Sequence, residues 1–519
     1  MKRRDWLKSA AALLAAGKTV DIARGDVPDH LWHGYDFGPG PQVPDRLNQG
    51  PFGIDQDEGW YTIASTTPAR GAVRNFGLGL VGYTWEEGGP SLAARSGVET
   101  LEQHVESLAG LPFVDVLYIR CDWRDVQSRP GKLDLHPIWA LTLDAAKRHG
   151  LRAAFRVQLS SPNIQPGRLS MPDFLRERVP LVKIGRRPKT SSFEFIEPRY
   201  DDPAFQKAFR ELNELLATEF DNHPRMEFVD LMMYGFWGEG HTSDLPSPFP
   251  DYLTAEKTFV DMTRAQLEAW KRVPLAVNTQ PDISRVGNRE VQDLAVRAGC
   301  WLRSDSVILD EPIQIEALAN RPPWLAVIME DGRYRSYDIQ PLHTGADGVN
   351  PLESTILHVL DLGANYWSLW TEGANLRKYH EKYPDGLRAL QGRLGYRVRP
   401  SWIWQRKRHG SSELVLAISN DGVAGVPGVL RISVSERSGE LLRSGCLDAG
   451  HPFGGRLRLA SLMLPPGMEG REVTLRAEIE TKGGVRRPVR WACAQPLEND
   501  GSLAVKLKSR SDADWRKNV

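Results

Sequence analysis

The chain has 519 residues, with 66 Lys+Arg balanced by 66 Asp+Glu, and 41% of it is hydrophobic, including 16 Trp, 13 Tyr and 16 Phe. A neutral total supplies no excess positive field for gripping phosphate, so no nucleic-acid partner is expected, and the apolar content rules out global disorder. Cys121, Cys300, Cys446 and Cys493 lack the paired spacing of a zinc site or a disulfide scaffold, although a Cys446–Cys493 pair is left open by sequence separation alone.

The first 25 residues read as a twin-arginine-like export signal. Arg3 and Arg4 are followed by Asp5, Trp6, Leu7 and Lys8, then by a short Ala/Leu segment over 9–17 that is too short to cross a bilayer. A periplasmic or secreted location is therefore expected. No stretch of 18 apolar residues exists to make an integral membrane segment of the mature chain. Residues 26–75 are rich in Asp, Gly and Pro and read as a linker or strapping segment.

From there short apolar runs alternate with segments of helical spacing. Strands are expected over 77–86, 114–121, 151–159, 226–235, 274–279, 300–308, 324–330 and 364–370. Helices are expected between and after them, over 97–109, 137–149, 204–220, 254–271, 288–298, 312–319, 351–362 and 376–394. Parallel neighbours need a crossover helix, and eight such units close a (β/α)8 TIM barrel, placed over 76–398. The rival is a doubly wound open sheet, but VGYTWEEGG after the first run has no GxGxxG phosphate turn. Beyond Pro400 short alternating runs separated by Gly, Pro and Asn indicate a small all-β sandwich over 399–498, followed by a charged tail over 499–519.

In a barrel of this kind the chemistry gathers at the C-terminal ends of the strands. Glu239 closes the fourth run in LMMYGFWGEGH, and Glu330 closes the seventh in WLAVIMEDGRY. Those ends face each other across the mouth. Two opposed carboxylates can cleave a glycosidic bond, one protonating the leaving oxygen and the other attacking as nucleophile. A carboxyl that stays protonated near neutral pH needs an apolar setting, which Phe236 and Trp237 would supply.

These features resemble the clan A retaining glycoside hydrolases, whose (β/α)8 barrels carry an acid/base Glu after strand four and a nucleophile Glu after strand seven. The resemblance spans roughly residues 76–395 and implies Glu239 as acid/base and Glu330 as nucleophile. It also implies roles for Arg120 on strand two and for Trp367 or Trp370 on strand eight. The chain departs from the clan where Gly238 precedes the acid/base in place of Asn, leaving the sugar 2-hydroxyl to His241 or Asn278. The WGE-x-H segment is similar to secreted β-galactosidase-like barrels that end in a β-sandwich, which puts galactosides first among expected substrates.

Trp85, Trp123, Trp237, Trp367 and Trp370 stand at run ends, where indole faces can stack on sugar rings, whereas Trp139, Trp270 and Trp402 read as core. Asp305 in RSDS, Glu372 and Glu86 compete with Glu330 for the nucleophile role, and Asp305 and Glu372 also count as substrate contacts. No metal and no cofactor is expected: His241 belongs to no HExxH or Cys/His cluster, its neighbours Asp244 and Glu239 complete no recognised ligand set, and no G-x-S-x-G elbow occurs. The basic run over 181–192 reads as a solvated loop that would otherwise suit an acidic sugar. Two alternatives stay open: a non-catalytic carbohydrate-binding barrel, and a polysaccharide lyase using Arg120, Arg124 and Arg156 against a uronate.

Overall fold

The structure, a computed structural model, describes residues 60–85, 89, 97–162, 169–186, 193–243, 245–279, 286–305, 312–330, 351–369, 376–377, 380–381, 384–408 and 411–509. The export signal and, within the candidate site, Glu86, Asp244, Trp370 and Glu372 lie outside the described residues.

In chain order the strands of the first two thirds are β1 (Trp60–Ser65), β2 (Gly79–Trp85), β3 (Val116–Asp122), β4 (Arg152–Gln158), β5 (Leu181–Gly185), β6 (Phe195–Pro198), β7 (Met226–Asp230), β8 (Leu275–Asn278), β9 (Trp301–Ser304), β10 (Val327–Glu330) and β11 (Tyr366–Leu369). The helices are α1 (Leu101–Ala109), α2 (Ile138–Arg148), α3 (Pro203–Phe220), α4 (Tyr252–Ala269), α5 (Asn288–Ala298), α6 (Pro312–Ala319), α7 (Pro351–Asp361) and α8 (Pro384–Gln391). Local chemistry sets their starts. Thr100 and Gln103 form a capping box at α1, Asp202 caps α3 ahead of Pro203, and Asp251 caps α4.

Eight strands close a parallel barrel in the order β10-β11-β2-β3-β4-β7-β8-β9, shut where Tyr366 of β11 pairs with Gly79 of β2. This is the expected TIM barrel. Period-2 alternation sorts its side chains. Leu80, Leu117, Phe155, Met329 and Trp367 belong to the apolar layer shared with the helices, whereas Val81, Val116, Ala154, Phe228 and Ile328 fill the lower lumen.

The C-terminal strands are β12 (Val398–Arg408), β13 (Ser411–Asn420), β14 (Val429–Glu436), β15 (Leu441–Leu447), β16 (Leu457–Met463), β17 (Glu472–Glu480), β18 (Arg486–Val489) and β19 (Leu503–Lys506). They form two antiparallel sheets, β1-β12-β13-β16 and β15-β14-β17-β18, with β19 also paired to β17. Their inner faces make one apolar core that continues into the residues at the N-terminal ends of the barrel strands, among them Phe76, Trp301 and Tyr366. The sandwich thus seals the floor of the barrel, at the end opposite the mouth.

Three segments differ from the sequence reading. The strapping segment ends in β1, whose Trp60 pairs with Arg406 of β12, so 60–65 is an edge strand of the sandwich. The charged tail begins with a strand, since Leu475 of β17 pairs with Leu503 of β19. The loop after the third barrel strand contains an antiparallel hairpin, with Leu181 opposite Pro198. Four- to six-residue strands with distant or irregular partners carry too little local signal to read directly. The four cysteines are free, and Cys446 and Cys493 sit in separate apolar clusters, so no disulfide joins them. Among the described residues no helix is long and apolar enough to cross a membrane.

Candidate active site

Glu330 ends β10 as expected. Glu239 does not end a strand: β7 stops at Asp230, and the apolar run continues through a compact loop to His241. Backbone conformation makes that loop. Gly235, Gly238 and Gly240 take positive φ, and so does Trp237 at 57°, a conformation that costs a side-chain-bearing residue about 1–3 kcal/mol. A Cβ on Gly235 would lie 2.2 Å from the His241 carbonyl oxygen, so the turn closes only around glycine. Backbone hydrogen bonds then hold it: Phe236 N–H donates to His241 O at 2.8 Å, Trp237 N–H to Ser160 O at 3.0 Å, and Glu239 N–H to Phe236 O at 3.0 Å.

The loop brings Glu239, His241 and Trp237 together. His241 Nδ1 accepts from Ser243 N–H at 3.0 Å, which leaves the proton on Nε2, and that nitrogen lies 3.2 Å from Glu239 Oε2. Trp237 is half-buried and tilts over the imidazole at 5.8 Å between centroids. Where the clan has Asn, a Cβ on Gly238 would meet Arg156 Cδ at 3.4 Å, and φ is 73°. The space of the missing side chain is bordered by the aliphatic stem of Arg156.

Beneath the mouth lies a buried charge network. Arg156 donates to Asp230 at 3.2 Å, to both Asp305 oxygens at 3.3 Å and to Trp237 O at 3.1 Å, and its Nη1 is 3.6 Å from Glu239 Oε1. Arg303 donates to Asp305 Oδ1 at 2.5 Å and to Glu330 Oε2, and stands 3.3 Å from Asp230. Arg120 donates to the same Glu330 oxygen at 2.6 Å. Asn278 donates to Asp305, and Tyr118 to Asp230. Glu239 and Glu330 are thereby joined through Arg156, Asp305 and the pair Arg120 and Arg303.

Three arginines face four carboxylates here, so one proton balances the set. Burial raises the Glu330 carboxyl to about 8; Arg120 and Arg303 pull it down, while Asp305 pushes it further up. Asp305 is equally enclosed, but Arg156, Arg303 and Arg120 outweigh its burial and hold it well below the usual carboxylate range. The proton therefore resides on Glu330, facing an ionised Asp305.

Several expected sugar contacts are elsewhere. Trp123 opens a turn that rotates it out of the barrel, where it is fully buried, donates to Gln127 Oε1 at 2.8 Å and meets Phe205 edge-on. Trp367 alternates outward between Met329 and Leu80, beneath the helices. Neither ring can floor a sugar site. Trp85 is 5% exposed at the top of β2, with His136 packed edge-on against it at 4.6 Å. Trp370 and Glu372 are outside the described residues. Sequence reasoning missed Asp230, Tyr83 and Tyr118, gave Arg156 a role only in the lyase alternative, and assigned Arg303 none. Their signal was present as inward-facing steps of two, in Tyr118-x-Arg120 and Arg303-x-Asp305. Among the described residues no group of three or more His, Cys, Asp or Glu side chains is arranged to hold a metal.

Fold and site together define a (β/α)8-barrel protein in which Glu239 and Glu330 join one buried arginine–carboxylate network at the C-terminal ends of the strands. Comparisons with protein-family models and with curated proteins gave no match. Among solved structures the chain is similar to endo-glycoceramidase II from Rhodococcus sp., at 12% identity over 75% of this chain and 97% of that one, with a TM-score of 0.36. It is also similar to a β-galactosidase from the Antarctic haloarchaeon Halorubrum lacusprofundi, at 12% identity over 61% and 57% of the two chains, with a TM-score of 0.37. An exo-β-1,4-mannosidase from Opitutaceae bacterium strain TAV5 shares 15% identity over 64% and 58%, with a TM-score of 0.33. Likeness of this degree carries no argument about chemistry, which rests on the residues above.

Proposed function

We propose that this chain is a retaining glycoside hydrolase acting on a β-linked sugar, with galactosides first among the substrates to test. The observation that supports it is the linkage of Glu239 and Glu330 through one network of Arg156, Asp305, Arg120 and Arg303, with Glu330 gripped by Arg120 and Arg303. Glu239 takes up the proton that Glu330 gives up and delivers it to the leaving oxygen, with the Nε2–H of His241 beside it. Glu330, once ionised, attacks the anomeric carbon and displaces the leaving group; Glu239 then takes a proton from water, whose oxygen releases the sugar from Glu330. Positioned proton transfer of this kind contributes about 10²–10⁴-fold. The proposal includes export by a twin-arginine route, on the strength of Arg3, Arg4 and the apolar segment behind them.

Asp305 is the second reading for the nucleophile because it stays ionised at neutral pH. Against it, both of its oxygens already accept from Arg156, and it also accepts from Arg303 and Asn278. The lyase reading is weakened in the same way. Arg120 and Arg156 are engaged with this protein's own carboxylates, and Arg124 with Leu169 O and Asp173.

The test is a panel of aryl β-glycosides with proton NMR of the first sugar released. Release with the β configuration retained supports the proposal. Release as the α anomer, an unsaturated product, or sugar binding without release would each replace it. A pH profile adds a second check. The reaction needs one shared proton, resting on Glu330 and passed to Glu239, and the Glu330 carboxyl is raised to about 8, so kcat/KM of the free enzyme should fall as pH rises through about 8, where that proton leaves. A profile that stays flat through pH ~9 would contradict the proton's assignment to Glu330.

A further inference from the structure

Glu197, on β6 of the hairpin, has no part in the mechanism above, yet its carboxylate is buried, at 1% exposure. Ser160 Oγ donates to Glu197 Oε1, and Tyr200 OH donates to Oε2 at 2.6 Å. Both partners also grip the loop that carries Glu239. The Ser160 carbonyl accepts the N–H of Trp237 at 3.0 Å, and the Tyr200 hydroxyl oxygen accepts the N–H of Gly235 at 3.1 Å. Phe195, two residues before Glu197, packs on Phe236 at 5.2 Å, within a small core of Ile184, Phe195 and Phe236. Glu197 thus stands behind both ends of the Gly235–Trp237 turn, whose unfavourable φ at Trp237 persists only if its surroundings enforce it.

We propose that Glu197 is a positioning residue for Glu239, holding the acid/base loop in register through Ser160 and Tyr200. This rests on the reading of Glu239 as acid/base. Removing a buried carboxylate from the middle of two donors leaves each donor to find another partner, and Tyr200, whose oxygen also receives Gly235 N–H, must redirect its own O–H. Burial also raises the Glu197 carboxyl to about 7, against the pull of the Ser160 and Tyr200 hydroxyls, which are the groups that face it.

The deciding experiment compares kcat/KM for phenyl and 2,4-dinitrophenyl glycosides in the wild-type full chain and in Glu197→Gln. Dinitrophenolate departs without protonation, so its release does not require a well-placed acid, whereas phenol release does. The expected result is a loss of about 10–100-fold on the phenyl glycoside, the scale of a small misplacement of a catalytic group, with little change on the dinitrophenyl glycoside. Ser160→Ala, which removes one donor and keeps the backbone, should show the same split more weakly and serves if Glu197→Gln does not fold. Equal losses on both substrates, or none on either, would overturn the positioning role while leaving the glycosidase reading intact. A wild-type protein that cleaves neither substrate would end that reading and this inference with it.

Discussion

Replacing Glu330 by Gln is expected to lower kcat by about 10⁴-fold or more, the scale on which members of a covalent catalytic set fail when removed singly. The fold should survive the change. Below about pH 8 the carboxyl carries its proton, and Gln reproduces that neutral form: its amide oxygen can accept from Arg120 and Arg303, and its NH2 can face Asp305. The same variant tests linkage. A folded-state value near 8 against 4.5 for the free group means the native state holds more protons between those limits. Stability from this group is full below about 4.5 and lost as pH rises through about 8. Thermal unfolding of Glu330→Gln should therefore depend less on pH in that window than wild type, and sugar binding should remain. Near-normal turnover in this variant would sink the nucleophile assignment and move it to Asp305.

Arg303→Leu should have the largest effect on stability. Its guanidinium is fully buried and touches Asp305, Asp230 and Glu330 at once. Taking it away leaves ionised Asp305 with Arg156 close by and Arg120 at 3.8 Å, and leaves an excess of negative charge among buried side chains. Breaking a buried ion pair by deleting one partner costs about 3–5 kcal/mol. A clear fall in the urea midpoint of the barrel transition is expected, and Arg303→Lys should recover only part of it, because a point charge replaces a fork that serves three acceptors. An unchanged midpoint for Arg303→Leu would mean that the network is not a cooperative unit. The variant should also lose activity, since the residue holds Glu330.

Much of the barrel was legible in the order of residues because its elements are local. An eight-fold alternation of short apolar runs with amphipathic segments needs only neighbours within a helix or strand to show itself, and it places Arg120, Asn278, Asp305 and Glu330 at strand ends facing one lumen. The candidate site was less legible. Glu239 was found, but as the end of a strand; that it rides a glycine-hinged loop depends on φ at Gly235 and Trp237 and on Ser160 as a partner. Trp123 and Trp367 look like sugar platforms in a linear text, and only the side of the strand on which each emerges removes them.

The opening balance of 66 against 66 takes on a local meaning in three dimensions. Composition and periodicity by themselves determined a neutral, ordered chain, a barrel and a β domain. Tertiary structure alone decided that residues 60–65 and 503–506 complete the sandwich, that the sandwich seals the barrel floor, and that three arginines and four carboxylates meet beneath the mouth. The physical reason is range. Helix and strand periodicity is a property of adjacent residues, whereas charge pairing and strand pairing join residues up to hundreds of positions apart, and only the closed barrel brings those partners within a hydrogen bond of one another.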